Sequence, residues 1–260
     1  MLLFIARERR SQACFTSTPL ASFYAMERRL DDLIRLYSIL DRLERRIGGR
    51  RLLASSDGRS GWPERGVYFF MEDGEYRTDS GDGLRVVRVG THALTSSSRT
   101  TLWRRLSQHK GQKASGGGNH RGSIFRLLVG STLLKAPGAA CPTWGIKNSA
   151  PQDVRGLEEP LEREVSGIIG AMPFLWLEID DAPSAGSMRG FVERNAIALL
   201  SNVEKPPLDP PSANWRGSAC DRGKGRVRDS GIWNQNHVDE AYDPAFLDLL
   251  ERLVNESGAR

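Results

Sequence analysis

Three side chains in this sequence have the types and the spacing of a site for an anionic substrate: Tyr68, Arg105 and His109. Arg105 and His109 lie four residues apart in LWRRLSQHKG, a helical pattern, so both side chains sit on one helix face within reach of a common ligand. An arginine there neutralises phosphate charge, bidentately where geometry allows. A histidine, with an ordinary pKa near 6.5, is a general base near neutral pH. Tyr68 lies in GVYFFMEDGEY, a run rich in Val, Phe and Tyr that reads as a strand. An ordinary tyrosine, with pKa near 10, is a poor base unless a cation stands beside it. After the helix comes KGQKASGGGNHRG, with Lys110, Lys113, His120 and Arg121 among glycines. Two readings of this basic loop stay open. It is a plain surface linker, or a substrate loop whose glycines let backbone N–H groups approach phosphates.

These residues need a frame. The runs 66–71 and 84–90 form a β-hairpin, joined by an acidic segment (Glu72, Asp73, Glu75, Asp79, Asp82) that reads as a solvated loop without the spacing of a Ca²⁺ loop. PFLWLEID at 173–180 is a third, buried strand. Helices are expected at 24–47, 101–109, 123–136, 157–169 and 188–202, with a terminal helix starting near Asp243-Pro244. The helix at 24–47 buries Leu30, Leu33, Ile34, Tyr37, Leu40, Leu43 and Ile47 on one stripe. Its other face, with Arg28, Arg35, Arg42, Arg45 and Arg46, reads as solvated. Residues 1–22 carry no period and read as poorly ordered, so Met26 is a candidate start. Residues 50–65 read as linker and RVRDSGIWNQNHV as loop. Within the latter, Trp233, Asn234, Asn236 and His237 form a cluster too polar for plain core, with no role assigned. A hairpin, helices, a third strand and more helices do not alternate as βαβ units, so the order is α+β.

The ordered motifs resemble the GIY-YIG nuclease superfamily. Gly66-Val67-Tyr68 resembles its first motif and Arg88-Val89-Gly90 its second, with arginine in place of the usual tyrosine. Arg105 and His109 have the family's Arg-x-x-x-His spacing. FVERNAIALLSN resembles the helix with the metal-binding glutamate, here Glu193, and PPSANWRG the motif with the family's asparagine, here Asn214. The resemblance spans about 62–218, with 111–170 as the helical insertion and 219–260 as a C-terminal extension. It implies DNA phosphodiester hydrolysis with one divalent metal, Mg²⁺ or Mn²⁺, held by Glu193. It also implies a small three-stranded antiparallel sheet flanked by helices, with an N-terminal helix and a helical insertion. It implies Tyr68, Arg105 and His109 as catalytic residues and Asn214 as a substrate-binding residue. The residues' own chemistry adds Arg88 to the catalytic set and Lys110, His120 and Arg121 of the basic loop to the substrate-binding set. Arg88 then supplies the cation that Tyr68 needs as a base, with His109 as the rival base. Because the second motif is altered, the alternative is a catalytically silent nucleic-acid-binding module of the same fold.

Composition agrees. A 260-residue chain suffices for one elaborated domain. With 39% hydrophobic and 27% charged residues it has the balance of a soluble globular protein. A net charge of +5, mostly from arginine, permits nucleic-acid binding without requiring it. The 3 cysteines, Cys14, Cys141 and Cys220, are widely spaced, which argues against a disulfide framework and a structural zinc site. No apolar run is long enough to span a membrane, and a cytoplasmic location is the default. One site per chain would cut both DNA strands as a homodimer.

Overall fold

The computed structural model describes residues 19–59, 61–112 and 114–257, with side chains from residue 23 onward. The reading of residues 1–18 lies outside the described residues, as does Lys113. In chain order the elements are α1 (Pro19–Arg46), β1 (Arg51–Leu52), β2 (Gly66–Tyr76), β3 (Leu84–Gly90), α2 (Leu102–Lys110), α3 (Ile124–Leu133), α4 (Gln152–Ala171), β4 (Pro173–Glu178), α5 (Met188–Leu200), α6 (Arg226–Ser230) and α7 (Ala245–Glu256). One antiparallel sheet has the order β1-β4-β2-β3. The expected third strand is β4, which pairs with β2 and leaves β3 at the edge of the sheet. A fourth strand, β1, pairs Arg51 with Phe174 and Leu52 with Pro173 inside the stretch read as linker. Two residues are too short to show an alternating pattern.

The side-chain period of a strand splits β2 between two cores. Val67, Phe69 and Met71 face one core, built with α1, α5 and α7. Tyr68 and Phe70 face the other, with Leu102 and Leu106 of α2, Phe125 and Leu128 of α3, Val165 and Ile169 of α4, and Trp215 and Trp233 from the C-terminal third. Residues beyond 218 therefore pack into the same two cores as the sheet: Trp233 in one, Phe246 and Leu250 in the other.

The basic face of α1 is not simply solvated. Arg35 meets Asp248 and Glu251 of α7, both at 2.7 Å, and Arg42 meets Glu251 at 2.5 Å. Arg29 is buried and donates to the carbonyls of Leu199, Ser201 and Pro206. The acidic hairpin connection is also bound. β2 runs on to Tyr76, so Glu72 and Glu75 are strand residues, both buried, and Glu75 pairs with Arg85 at 2.5 Å. At the tip, Asp209 accepts from the backbone N–H of Thr78 (2.9 Å), Asp79 (2.8 Å) and Ser80 (3.0 Å) and from the Ser80 hydroxyl.

Burial pushes the Asp209 carboxyl up, but the Ser80 hydroxyl and these N–H groups outweigh it and hold it below 3.8. Its stabilising contribution is thus present above pH 3.8 and is lost as pH falls through the lower folded-state pKa. Asp209→Ala orphans several donors at once and is expected to cost about 3 kcal/mol at neutral pH, read as a lower urea midpoint with unchanged slope.

Candidate active site

Gly90 explains why Tyr68 points where it does. The two residues are cross-strand partners in the β2–β3 ladder. A Cβ built on Gly90 would lie 2.3 Å from Tyr68 Oη, so only a residue without a side chain lets the phenol lie across β3. The ring is fully buried, and Tyr68 Oη is 2.8 Å from His109 Nε2.

His109 arrives on the buried stripe of α2, with Leu102 and Leu106. The helix starts cleanly because Thr101 caps it, its hydroxyl accepting from Arg104 N–H, and because Leu102 N–H donates to Glu64 C=O at 2.8 Å. His109 Nδ1 lies 2.7 Å from Ser123 Oγ, and Arg126 Nη1 donates to the His109 carbonyl at 2.8 Å. Burial drives the imidazole well below its ordinary 6.5, and Arg105, Arg88 and Arg126 push the same way. His109 is therefore neutral near pH 7. Arg105, on the flank of α2, is half-buried and donates to Gln108 Oε1 at 2.9 Å and Gly122 C=O at 3.1 Å through the same nitrogen.

Arg88 stands on β3 opposite Phe70, buried, with its guanidinium 4.8 Å from the centre of the Phe125 ring. One nitrogen donates to the Trp233 carbonyl, while its Nε is buried without a partner among the described residues. Burial lowers its pKa, Tyr68 and Glu193 oppose that, and Arg105 adds to it, so these four groups share one electrostatic neighbourhood. Glu193 projects from α5, its Oε1 accepting from Thr91 N–H at 3.0 Å, directly after Gly90. Burial raises the Glu193 carboxyl above its ordinary range, opposed by Arg88, the Thr91 N–H, His237 and Arg105. One turn earlier Arg189 donates to the His92 carbonyl at 2.8 Å, so α5 grips the end of β3 through two side chains on one face.

The open edge of β3 is closed by the segment read as loop. Trp233 N–H donates to Val87 C=O at 2.6 Å. Asn234 pairs with both backbone groups of Val89, accepting from its N–H at 3.1 Å and donating to its C=O at 2.9 Å. Part of that segment is helical, α6, correcting the reading as loop throughout.

The structure thus brings Tyr68, Arg88, Arg105, His109 and Glu193 together. Four further candidates stand elsewhere. Asn214 is exposed and hydrogen-bonds to none of those five among the described residues; the adjacent Trp215 donates to Glu72, four residues and about 13 Å along β2 from Tyr68. Lys110 donates to the carbonyls of Ala54 (3.0 Å) and Ser56 (2.5 Å). His120 is buried against Glu162, with Nδ1 2.9 Å from Oε1, and stacks on Trp144. Arg121 forms a two-pronged pair with Glu158 at 2.5 and 2.8 Å. Lys110, His120 and Arg121 are thus occupied within the protein. Ser123, Arg126 and Asn234 were not among the expected site residues. The one available signal was the unassigned polar cluster around Trp233.

Among the described residues no three His, Cys, Asp or Glu side chains converge as a metal cage. Glu193 Oε2 has no hydrogen-bond partner among them. A lone carboxylate of this kind suits a hard cation that keeps most of its waters. No described helix is long and apolar enough to cross a membrane.

Comparison with known proteins yields no match among curated proteins and none among solved structures. The family model described as GIY-YIG domain matches residues 27–260, from within α1 to the last residue. The match covers the sheet, both cores and every residue of the cluster, and the chain belongs to the GIY-YIG family.

Proposed function

We propose that this protein is a metal-dependent endonuclease that hydrolyses DNA phosphodiester bonds at one site per chain. The observation that carries this reading is the convergence of Tyr68, His109, Arg88, Arg105 and Glu193 at one end of β2 and β3. Membership of a family of nuclease-like domains supports it.

In this reading Tyr68 takes the proton from the attacking water. The buried guanidinium of Arg88 stands in the same electrostatic neighbourhood and is the cation beside the phenol in this reading. His109, neutral and bonded to Tyr68, orients the phenol and is not itself the base. The second arginine, Arg105, stands at the half-buried rim of the cluster and balances charge on the phosphate. Glu193 would hold Mg²⁺ or Mn²⁺. The bound ion supplies charge neutralisation at the phosphate and at the leaving oxygen. Asn234 locks Val89, and with it the strand end that carries Gly90 and Thr91.

The test is supercoiled plasmid incubated with purified protein in Mg²⁺, in Mn²⁺ or in EDTA, beside Glu193→Ala. Metal-dependent nicking by the wild type and its absence in Glu193→Ala are the expected results. Salt-sensitive DNA binding without cleavage under any metal would sink the enzyme reading and leave a nucleic-acid-binding module.

A further inference from the structure

We propose that Ser123, contributed by the segment between α2 and α3, is a positioning residue that fixes the tautomer of His109 so that its Nε2–H donates to Tyr68 Oη. This rests on the reading of Tyr68 as the base. Ser123 is almost fully buried, and its Oγ already accepts from Arg126 N–H at 3.2 Å, capping α3. Its own hydrogen has one acceptor in hydrogen-bond range among the described residues, His109 Nδ1 at 2.7 Å. A hydroxyl that donates to Nδ1 requires the proton of the neutral ring on Nε2. Nε2, 2.8 Å from Tyr68 Oη, then donates into the phenol oxygen.

Run the other way, Nδ1–H donates to Ser123 Oγ and Tyr68 O–H donates to Nε2. The Ser123 hydrogen is then enclosed between two helices without an acceptor, a costly arrangement. In the proposed direction the only hydrogen left over is Tyr68's own, the proton that the proposed base gives up in its role. The imidazole has no rival for this role. The charged groups acting on it are Arg105 on its own helix, Arg88 on β3 and Arg126 on α3, all cations that keep the ring neutral. Arg126 in turn fixes the helix end through the His109 carbonyl and is held by Glu162 of α4. The insertion between α2 and β4 therefore supplies the hydrogen-bond partners behind the catalytic pair.

The experiment is ¹⁵N NMR of the full chain labelled at histidine, near neutral pH. The chain has 4 histidines, and the spectrum of His109→Gln assigns the resonances. The wild type is expected to show His109 protonated on Nε2 alone. Ser123→Ala is expected to give a mixture of tautomers and to lower kcat about tenfold with KM unchanged, the size of one lost hydrogen bond at the reacting group. Ser123→Thr, which keeps the hydroxyl and the cap, is expected to restore both. A wild-type ring protonated on Nδ1, or a Ser123→Ala spectrum identical to the wild type, overturns the proposal, and the first needs no variant to fold. A tautomer that responds to Ser123→Ala while kcat does not would leave the assignment standing and overturn Tyr68 as the base.

Discussion

Tyr68→Phe is expected to lower the single-turnover rate of plasmid nicking by about 10²- to 10⁴-fold, the range for loss of a general base. The variant isolates chemistry from packing. Phe keeps the ring that lies against Gly90 and meets Phe70 edge-on at 5.6 Å, and it removes only Oη. The hydrogen bond to His109 goes with it, a stability cost of about 1 kcal/mol that a thermal melt reads separately. DNA affinity is expected to hold, because Arg105 at the rim of the cluster is untouched. The pH–rate profile supplies a second check. If His109 were the base, activity would be lost on acidification near its ordinary 6.5, but burial and three arginines drive its pKa well below that. No acidic limb near pH 6.5 is expected in the wild type. A Tyr68→Phe rate within threefold of wild type would move the base role to the histidine, and a limb near pH 6.5 would show that His109 titrates unshifted in a step the reaction needs.

Part of this site was open to reading in the sequence because it is local. Arg105 and His109 share a helix face by their spacing, and Tyr68 lies in a run of strand-forming residues two positions after Gly66. The glycine of the second motif has a physical reason, the phenol ring lying where a side chain would be. What the sequence hid is long-range. Asn234 finds its partner Val89 at a separation of 145 residues, and no pattern within the segment 226–238 announces a strand edge waiting elsewhere. Basic residues mislead in the same way. Arg121 and His120 leave their loop open to both a linker and a substrate reading until Glu158 and Glu162 arrive from 37 and 42 residues downstream. The arginines of α1 read as solvated until α7 brings Asp248 and Glu251. Periodicity marks which face of a helix is apolar, but it cannot tell a charged face in water from one paired to another element.

Glu162→Gln is expected to cost about 3–5 kcal/mol, the range for breaking a buried ion pair by removing one partner. The carboxylate accepts from Arg126 Nε at 2.8 Å and Nη2 at 2.5 Å, and from His120 N–H at 2.5 Å and Nδ1 at 2.9 Å. Arg126 is fully buried, so the loss leaves a cation without its counter-charge in the core. Burial alone pushes the Glu162 carboxyl up, but His120 and Arg126 outweigh it and hold it below 4.5, so its contribution is present above that pH and fades in stronger acid. Urea denaturation at neutral pH measures the loss. The consequence for function runs through Arg126 Nη1, which holds the His109 carbonyl at 2.8 Å. A double variant, Arg126→Met with Glu162→Leu, separates the two roles. Apolar replacement of both partners is expected to recover the share of the lost stability due to an unpaired Arg126, while the two His120 donors still lack Glu162. It is not expected to recover the nicking rate, because the helix end that carries His109 then has no donor holding its carbonyl. Recovery of both stability and rate would show that the ion pair supports the fold alone and leaves the catalytic pair to the α2 helix and Ser123.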